Sequence, residues 1–398
     1  MPAHTRRTTG AVLAGSLALT LAACTSEEPT AAGPDGEGAT VATDVDTDSP
    51  TYLGDVCPST VTTLTDWMPQ SEHGELYQLL GDDAEIDTDL KRIAGTLVDT
   101  DGADTGVRLE IRAGGPAIGF DSGANQLYSD ESLMLTYIST DDAVAAAAQG
   151  QPVVSVLAAK ETSPTAIMWD PQTYPDLETI ADVGEAGITV RYTNGLTYME
   201  YLLAEGILSE DQVDSSYDGS PGAFVADGGT AAQQGYATAE PYMYDQEIPQ
   251  WGRALEFDLV ANTGYRIYVQ SLSARADRVE EFADCFDRLV PIVQQAQVDF
   301  LDDPARANAL IVEAVEAYDL GWQYSEGLAD YSVQAQRDLG IVDNGHDSTL
   351  GNHELDRVDD LIAAVTPILV ANGLDVPQDL TAEDIVTNEF IDESIGLP

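Results

Sequence analysis

The sequence predicts an α/β protein of two lobes, and three observations lead there. After residue 57, short apolar runs suited to strands alternate with runs suited to helices, the pattern of a mostly parallel sheet covered by helices. With 398 residues and 43% apolar content the chain exceeds a single core, since such cores stop growing at about 250–300 residues. Beyond about residue 275 long amphipathic helices take over, as expected of a helical carboxyl-terminal third packed on a first lobe that is discontinuous in sequence. No period of 20–50 residues repeats, which sets solenoids and propellers aside.

In chain order, Arg6 and Arg7 precede an apolar and small-residue run from Ala11 to Ala23. This is the layout of a secretory signal and too short for a membrane span, so residues 1–23 are expected to direct export. Leu21-Ala22-Ala23-Cys24 resembles the lipobox of bacterial lipoproteins, which makes Cys24 the expected lipidation site and the outside of a bacterial cell membrane the expected location. From Cys24 to Pro50 there is no Lys, Arg or aromatic residue, so residues 24–56 are expected to form an acidic flexible tether. Val61–Trp67 reads as a strand, Glu75–Leu80 opens a helix, and Val107–Arg112 and Leu133–Ile138 are strands. Asp141–Gln149 is an Ala-rich helix, Val153–Ala158 a buried strand, Ile188–Arg191 a strand and Tyr198–Glu205 a helix. The later helices are Arg278–Gln297, Pro304–Tyr318, Tyr324–Leu339 and Asp356–Asn372. Crossings near residues 156–162 and 260–268 divide the chain into a first lobe of residues 57–158 and 264–398 and a second lobe of 159–263.

Cys57 and Cys285 remain once Cys24 is set aside. With no His or Cys at metal-ligand spacing from either, an even pair in an oxidising setting is expected as a disulfide; a catalytic thiol is the alternative, without a visible partner. The 70 acidic against 16 basic residues give a net charge of −54, which repels nucleic acid and anionic membrane surfaces. No nucleophile elbow, zinc-protease motif, Walker loop or dinucleotide fingerprint is present, and no cofactor is expected. His346 and His353, with Asp343, Asp347 and Glu354 nearby, read as a polar loop before a helix rather than a metal site. Asp99-Thr100-Asp101-Gly102 lacks the closing Glu of a calcium loop and reads as a turn.

Polar and aromatic residues collect instead at strand ends, where open α/β sheets bind ligands. Asp66 and Trp67 close the first strand, followed by Glu72, His73 and Tyr77. Each has a plainer reading: Trp67 as core, His73 as a cap, Tyr77 as packing. Gly114 and Gly115 follow the next strand, and Thr140 and Asp141 stand where they cap a helix or reach a ligand. Across the expected hinge lie Tyr192 and Asn194, then Tyr236, Glu240 and Tyr242. Aromatics at strand ends of both lobes point to a cleft for a planar, polar small molecule.

These segments resemble the extracytoplasmic substrate-binding proteins of ABC importers, in the group that binds nitrate, alkanesulfonates, thiamine-pyrimidine precursors and riboflavin. The resemblance rests on Asp66-Trp67-x-Pro69 with Glu72-His73 and Tyr77, Arg112 to Pro116, Ser139 to Asp142, Gln149 to Val154, Gln234 to Tyr242 and Thr387 to Asp392, and it spans roughly residues 60–395 in order. It implies a type II periplasmic-binding-protein fold with a double-crossing hinge, acting as a monomer that hands its small-molecule ligand to a permease driven by a separate cytoplasmic ATPase. Nitrate or sulfonate needs a cationic fork, and only Arg112 and Arg191 lie near the expected cleft. The acids there and the segment from Trp67 to Tyr77 favour a thiamine-pyrimidine-like or riboflavin-like ligand. A nitrate or sulfonate binder is the alternative, and an enzyme or a sensory lipoprotein on the same fold are further ones. The chain departs from the group in its acidity and in an apparent insertion over Asp99–Gly106.

Overall fold

A computed structural model describes residues 45–398. The expected export signal over residues 1–23 and the expected lipidation site Cys24 lie outside the described residues. The tether expected to run to residue 56 ends earlier. Leu53 is fully buried in the core and its N–H donates to Thr105 O at 2.7 Å, while Arg288 Nη1 donates to Tyr52 O at 2.7 Å. Tyr52 and Leu53 are the first aromatic and leucine side chains after the acidic stretch, so order begins where there is apolar surface to bury.

The first lobe opens with β1 (Thr60–Leu64), a 3₁₀ turn over Ser71–His73, α1 (Gly74–Gln78), β2 (Glu85–Asp87), β3 (Arg92–Val98) and β4 (Asp104–Arg112). It continues with α2 (Gly123–Ser129), β5 (Leu135–Ile138), α3 (Thr140–Ala148) and β6 (Val153–Ala158). The chain then enters the second lobe through β7 (Thr165–Trp169), α4 (Ile180–Glu185), β8 (Val190–Arg191), α5 (Thr197–Ala204) and β9 (Val213–Asp214). There follow α6 (Gly222–Ala226), β10 (Ala232–Tyr236), α7 (Glu240–Tyr242) and β11 (Glu256–Leu259). The chain returns with β12 (Ser271–Arg275) and ends in α8 (Ala283–Asp302), α9 (Ala305–Tyr318), α10 (Glu326–Asp338) and α11 (Leu355–Ala371).

The seven-stranded sheet has the order β2-β3-β4-β1-β5-β12-β6, and the five-stranded sheet β11-β7-β10-β8-β9. β4, β1 and β5 are parallel, as the alternation of elements predicts, but β2, β3 and β12 are antiparallel to their neighbours. Two local causes explain the mixture. β3 and β4 form a hairpin whose turn is held by Asp99, with Oδ1 accepting from Asp101 N at 3.1 Å and Ala103 N at 2.8 Å, and by Gly102 at φ +79°. The apparent insertion is therefore this turn and the start of β4. β12 comes back from the second lobe between β5 and β6 and so runs against both.

Burial alternates along β3, with Ile93, Gly95 and Leu97 inside, as a half-buried strand requires. On one face of the large sheet, Leu109 and Ile111 pack with Phe286, Leu289, Val293 and Phe300 of α8, which recur at helical spacing. On the other face, Leu64 and Ile138 share a core with Val144 of α3 and Val365 of α11, and this core continues to Met199 and Leu202 of α5 in the second lobe. Cys57 and Cys285 form a disulfide across 228 residues, joining the segment before β1 to the first turn of α8.

Candidate functional site

The loop after β1 and its 3₁₀ turn bring acids, an imidazole and an indole to the carboxyl end of the large sheet. Asp66 Oδ1 lies 2.7 Å from His73 Nε2, and Gln270 Nε2 donates to both Asp66 oxygens at 3.1 Å. His73 is fully buried and its ring stacks on Tyr137 at 5.2 Å and 16°. The Tyr137 hydroxyl donates to Glu75, whose other oxygen is 3.6 Å from Nζ of the buried Lys160. A polar chain thus runs from the half-exposed Asp66 into the core, where low dielectric strengthens each link.

The second lobe meets this surface through the segment after β10. Thr238 Oγ1 donates to Glu72, a contact between the lobes made by two buried side chains. Burial pushes the Glu72 carboxyl up, against the Thr238 bond and the charges of His73 and Lys160. Glu240 accepts from Tyr236 N at 2.7 Å; burial, with the Glu72 charge adding, pushes it from its ordinary 4.5 to about 7. The Tyr236 hydroxyl is pushed up by burial and by Asp66, Glu72 and Glu240, which sets it among acids of both lobes. α10 braces both halves: Gln336 Nε2 donates to Ser71 O at 3.2 Å beside Glu72, and the Tyr331 hydroxyl donates to Ala237 O at 3.0 Å beside Thr238.

Asp66, His73, Tyr236 and Glu240 are therefore brought to one place, with Trp67 at its rim. The Trp67 ring is 5.9 Å from Phe120 and 6.4 Å from Trp322. Gly114 and Gly115 lie directly beneath: a Cβ at Gly114 would stand 2.0 Å from Thr65 O, and one at Gly115, with φ +53°, 2.6 Å from the indole. Both glycines seat the Trp67 loop by close approach.

Tyr77 is a core residue, 1% exposed, whose hydroxyl is pushed well up by burial and by Tyr318. Thr140 Oγ1 accepts from Tyr268 N at 3.1 Å and ties the start of α3 to the segment before β12. Asp141 accepts from the Tyr265 hydroxyl at 2.5 Å, which leaves its Oδ1 buried and without a partner. Tyr192 is half-buried against the second-lobe core and Asn194 is exposed in its turn. Tyr242 turns to α10, 5.5 Å from the Tyr331 ring. His353 is buried, with Nε2 3.0 Å from Ser155 Oγ, and burial pushes its pKa down to about 4.

Sequence reasoning missed Gln270, Glu75, Tyr137, Lys160 and Thr238. Lys160 carried a signal, as one of two lysines in the chain and at an expected crossing. Gln270 sits at φ +50°, which nothing in its sequence context announces. Both arginines near the expected cleft are taken. Arg112 pairs with Glu110 at 2.7 Å and Asp130 at 2.6 Å, and Arg191 with Asp227 at 2.5 Å.

The family model described as NMT1/THI5 like matches residues 103–307. Among solved structures, the periplasmic aliphatic sulphonate binding protein SsuA from Escherichia coli is similar at 14% identity and a TM-score of 0.52, covering 86% of this chain and 94% of that one. The ligand binding component of an ABC-type import system from Staphylococcus aureus, with zinc bound, is similar at 11% identity and a TM-score of 0.52, covering 85% and 100%. At such identities the likeness is one of fold: two α/β lobes of the periplasmic-binding-protein kind. No curated protein matches the sequence.

Proposed function

This chain belongs to the NMT1/THI5-like family, and on that premise we propose that it is the extracytoplasmic solute-binding component of an ABC importer. It captures a small heteroaromatic solute, thiamine-pyrimidine-precursor-like or riboflavin-like, between its lobes and delivers it without turnover to a permease served by a separate ATPase. Cys24 anchors it to the membrane as a lipoprotein, and it works as a monomer. One observation carries the choice of solute. Glu72 of the first lobe is bonded by Thr238 of the second, two residues from Glu240 on the Tyr236 N–H, while Arg112 and Arg191 are already held by carboxylates. Such a surface accepts hydrogen bonds from amino and ring N–H groups and offers flat rings to stack on.

The anion alternative draws on what the Escherichia coli protein binds. Here it would require Arg112 or Arg191 to leave two acids each for one ligand. Thermal unfolding of the protein against aminopyrimidines, riboflavin, nitrate and taurine tests the choice. A ligand that binds only the native state adds about 2.7 kcal/mol at a hundredfold excess over Kd. Stabilisation by a pyrimidine or flavin that disappears in Trp67→Ala supports the reading. Stabilisation by nitrate or taurine alone overturns it.

A further inference from the structure

The buried polar atoms around the contact between the lobes are unequally matched. Glu72 Oε2, Glu75 Oε2 and Gln270 Oε1 are acceptors without a hydrogen-bond partner. His73 Nδ1 joins them in the tautomer that donates from Nε2 to Asp66, while the unpartnered donors nearby are Gln70 Nε2 and Nδ2 of Asn308, whose Oδ1 accepts from Ser71. Charge is unequal in the same sense. Lys160 is matched by Glu75 at 3.6 Å, which leaves Asp66, Glu72 and Glu240 with no lysine or arginine of their own.

Resting on the reading above, we infer that the solute is a cation, its flat ring bearing a protonated amine or amidine that docks between Glu72 of the first lobe and Glu240 of the second. Glu72 is faced by Thr238, His73, Lys160 and Tyr324, and Glu240 by the Tyr236 N–H, Tyr217, Tyr331 and Glu72. Only His73 and Lys160 in that set can carry positive charge, and both already have a carboxylate. A cation placed between the two glutamates gives the buried Glu72 Oε2 the partner it lacks. Because the glutamates belong to opposite lobes, the cation also removes a repulsion that exists only when the lobes are together. Its binding energy is thereby larger in the closed state, which is what a ligand needs in order to close a hinge.

The test is calorimetry on the wild-type protein at pH 7.5 with a matched pair, an aminopyrimidine bearing an aminomethyl group and the same ring bearing a hydroxymethyl group. The amine is expected to bind at least about tenfold tighter, and Glu240→Gln is expected to erase the difference between the two rings. Equal or tighter binding of the hydroxymethyl ring overturns the cation while leaving a heteroaromatic binder. Binding of taurine or nitrate with neither ring bound overturns the parent reading and the cation with it. The matched pair reads out on the wild type, so the inference stays testable even where Glu240→Gln misfolds.

Discussion

Replacing Glu240 by Gln isolates what the buried acid costs the empty protein. The carboxyl accepts the Tyr236 N–H at 2.7 Å, and burial with the Glu72 charge pushes it from 4.5 to about 7. A value higher in the folded chain than in the unfolded one favours folding while the group is protonated. That contribution is complete below about pH 4.5 and is lost as pH rises through 7. A separation of roughly 2.5 in pKa, at about 1.4 kcal/mol each, amounts to roughly 3 kcal/mol. Gln keeps an oxygen for the Tyr236 N–H and carries no charge at any pH. Glu240→Gln is therefore expected to match the wild type within about 1 kcal/mol at pH 5 and to exceed it by up to roughly 3 kcal/mol at pH 8.5. Urea denaturation at both pH values, without ligand, measures the difference. A gap between variant and wild type that is the same at pH 5 and pH 8.5 refutes the reasoning.

Four further outcomes are expected. Lys160→Met leaves Glu75 as an uncompensated buried charge and should lower stability by about 3–5 kcal/mol, most of it recovered in the Lys160→Met/Glu75→Gln pair, as read by denaturant midpoints. The buried neutral His353, at about 4 against an ordinary 6.5, stabilises the fold above pH 6.5 and ceases to as pH falls through 4; His353→Gln should flatten an acid limb worth roughly 3 kcal/mol in unfolding curves between pH 7 and pH 3.5. Gly115→Ala forces a Cβ into the indole at a left-handed φ, so solute affinity should drop about tenfold with a change in tryptophan emission, at a stability cost of about 1–3 kcal/mol. Cys57→Ala/Cys285→Ala should cost up to roughly 5 kcal/mol from loop-closure entropy over 228 residues, matched by wild type under reductant in the same denaturation assay.

Elements whose signal is local were legible. Val153–Ala158 is a short apolar run flanked by Gly150 and Pro152 and forms β6 over those residues, and the Pro304–Tyr318 pattern yields α9 one residue later. β2 and β3 were not legible, because Asp87, Asp89, Lys91 and Arg92 break the apolar alternation and the strands exist by pairing with β4. The site divides in the same way. Tyr77 falls within the helix expected from Glu75 and His73 just before it, and the 3₁₀ turn over Ser71–His73 ahead of α1 sends His73 to Asp66 while Tyr77 joins the core. Thr238 and Gln270 acquire their roles from chain segments far away in sequence, which no window around either residue contains.

The charge of the chain, uninformative about chemistry as a total, constrains the ligand once pairing is considered. With 70 acids against 16 bases, an arginine at a strand end meets a carboxylate before it meets a solute. Arg92, Arg112, Arg191, Arg253 and Arg357 are each held by an acid, several within 3 Å. Binding an anion at any of them means separating a charge-assisted pair and leaving a carboxylate beside the ligand, a double cost in a partly buried cleft. Binding a donor or a cation beside Glu72 has the opposite sign, because its Oε2 is a buried acceptor without a partner. On the proposed reading, the same acid excess that repels polyanions at long range favours, at the lobe contact, solutes that donate.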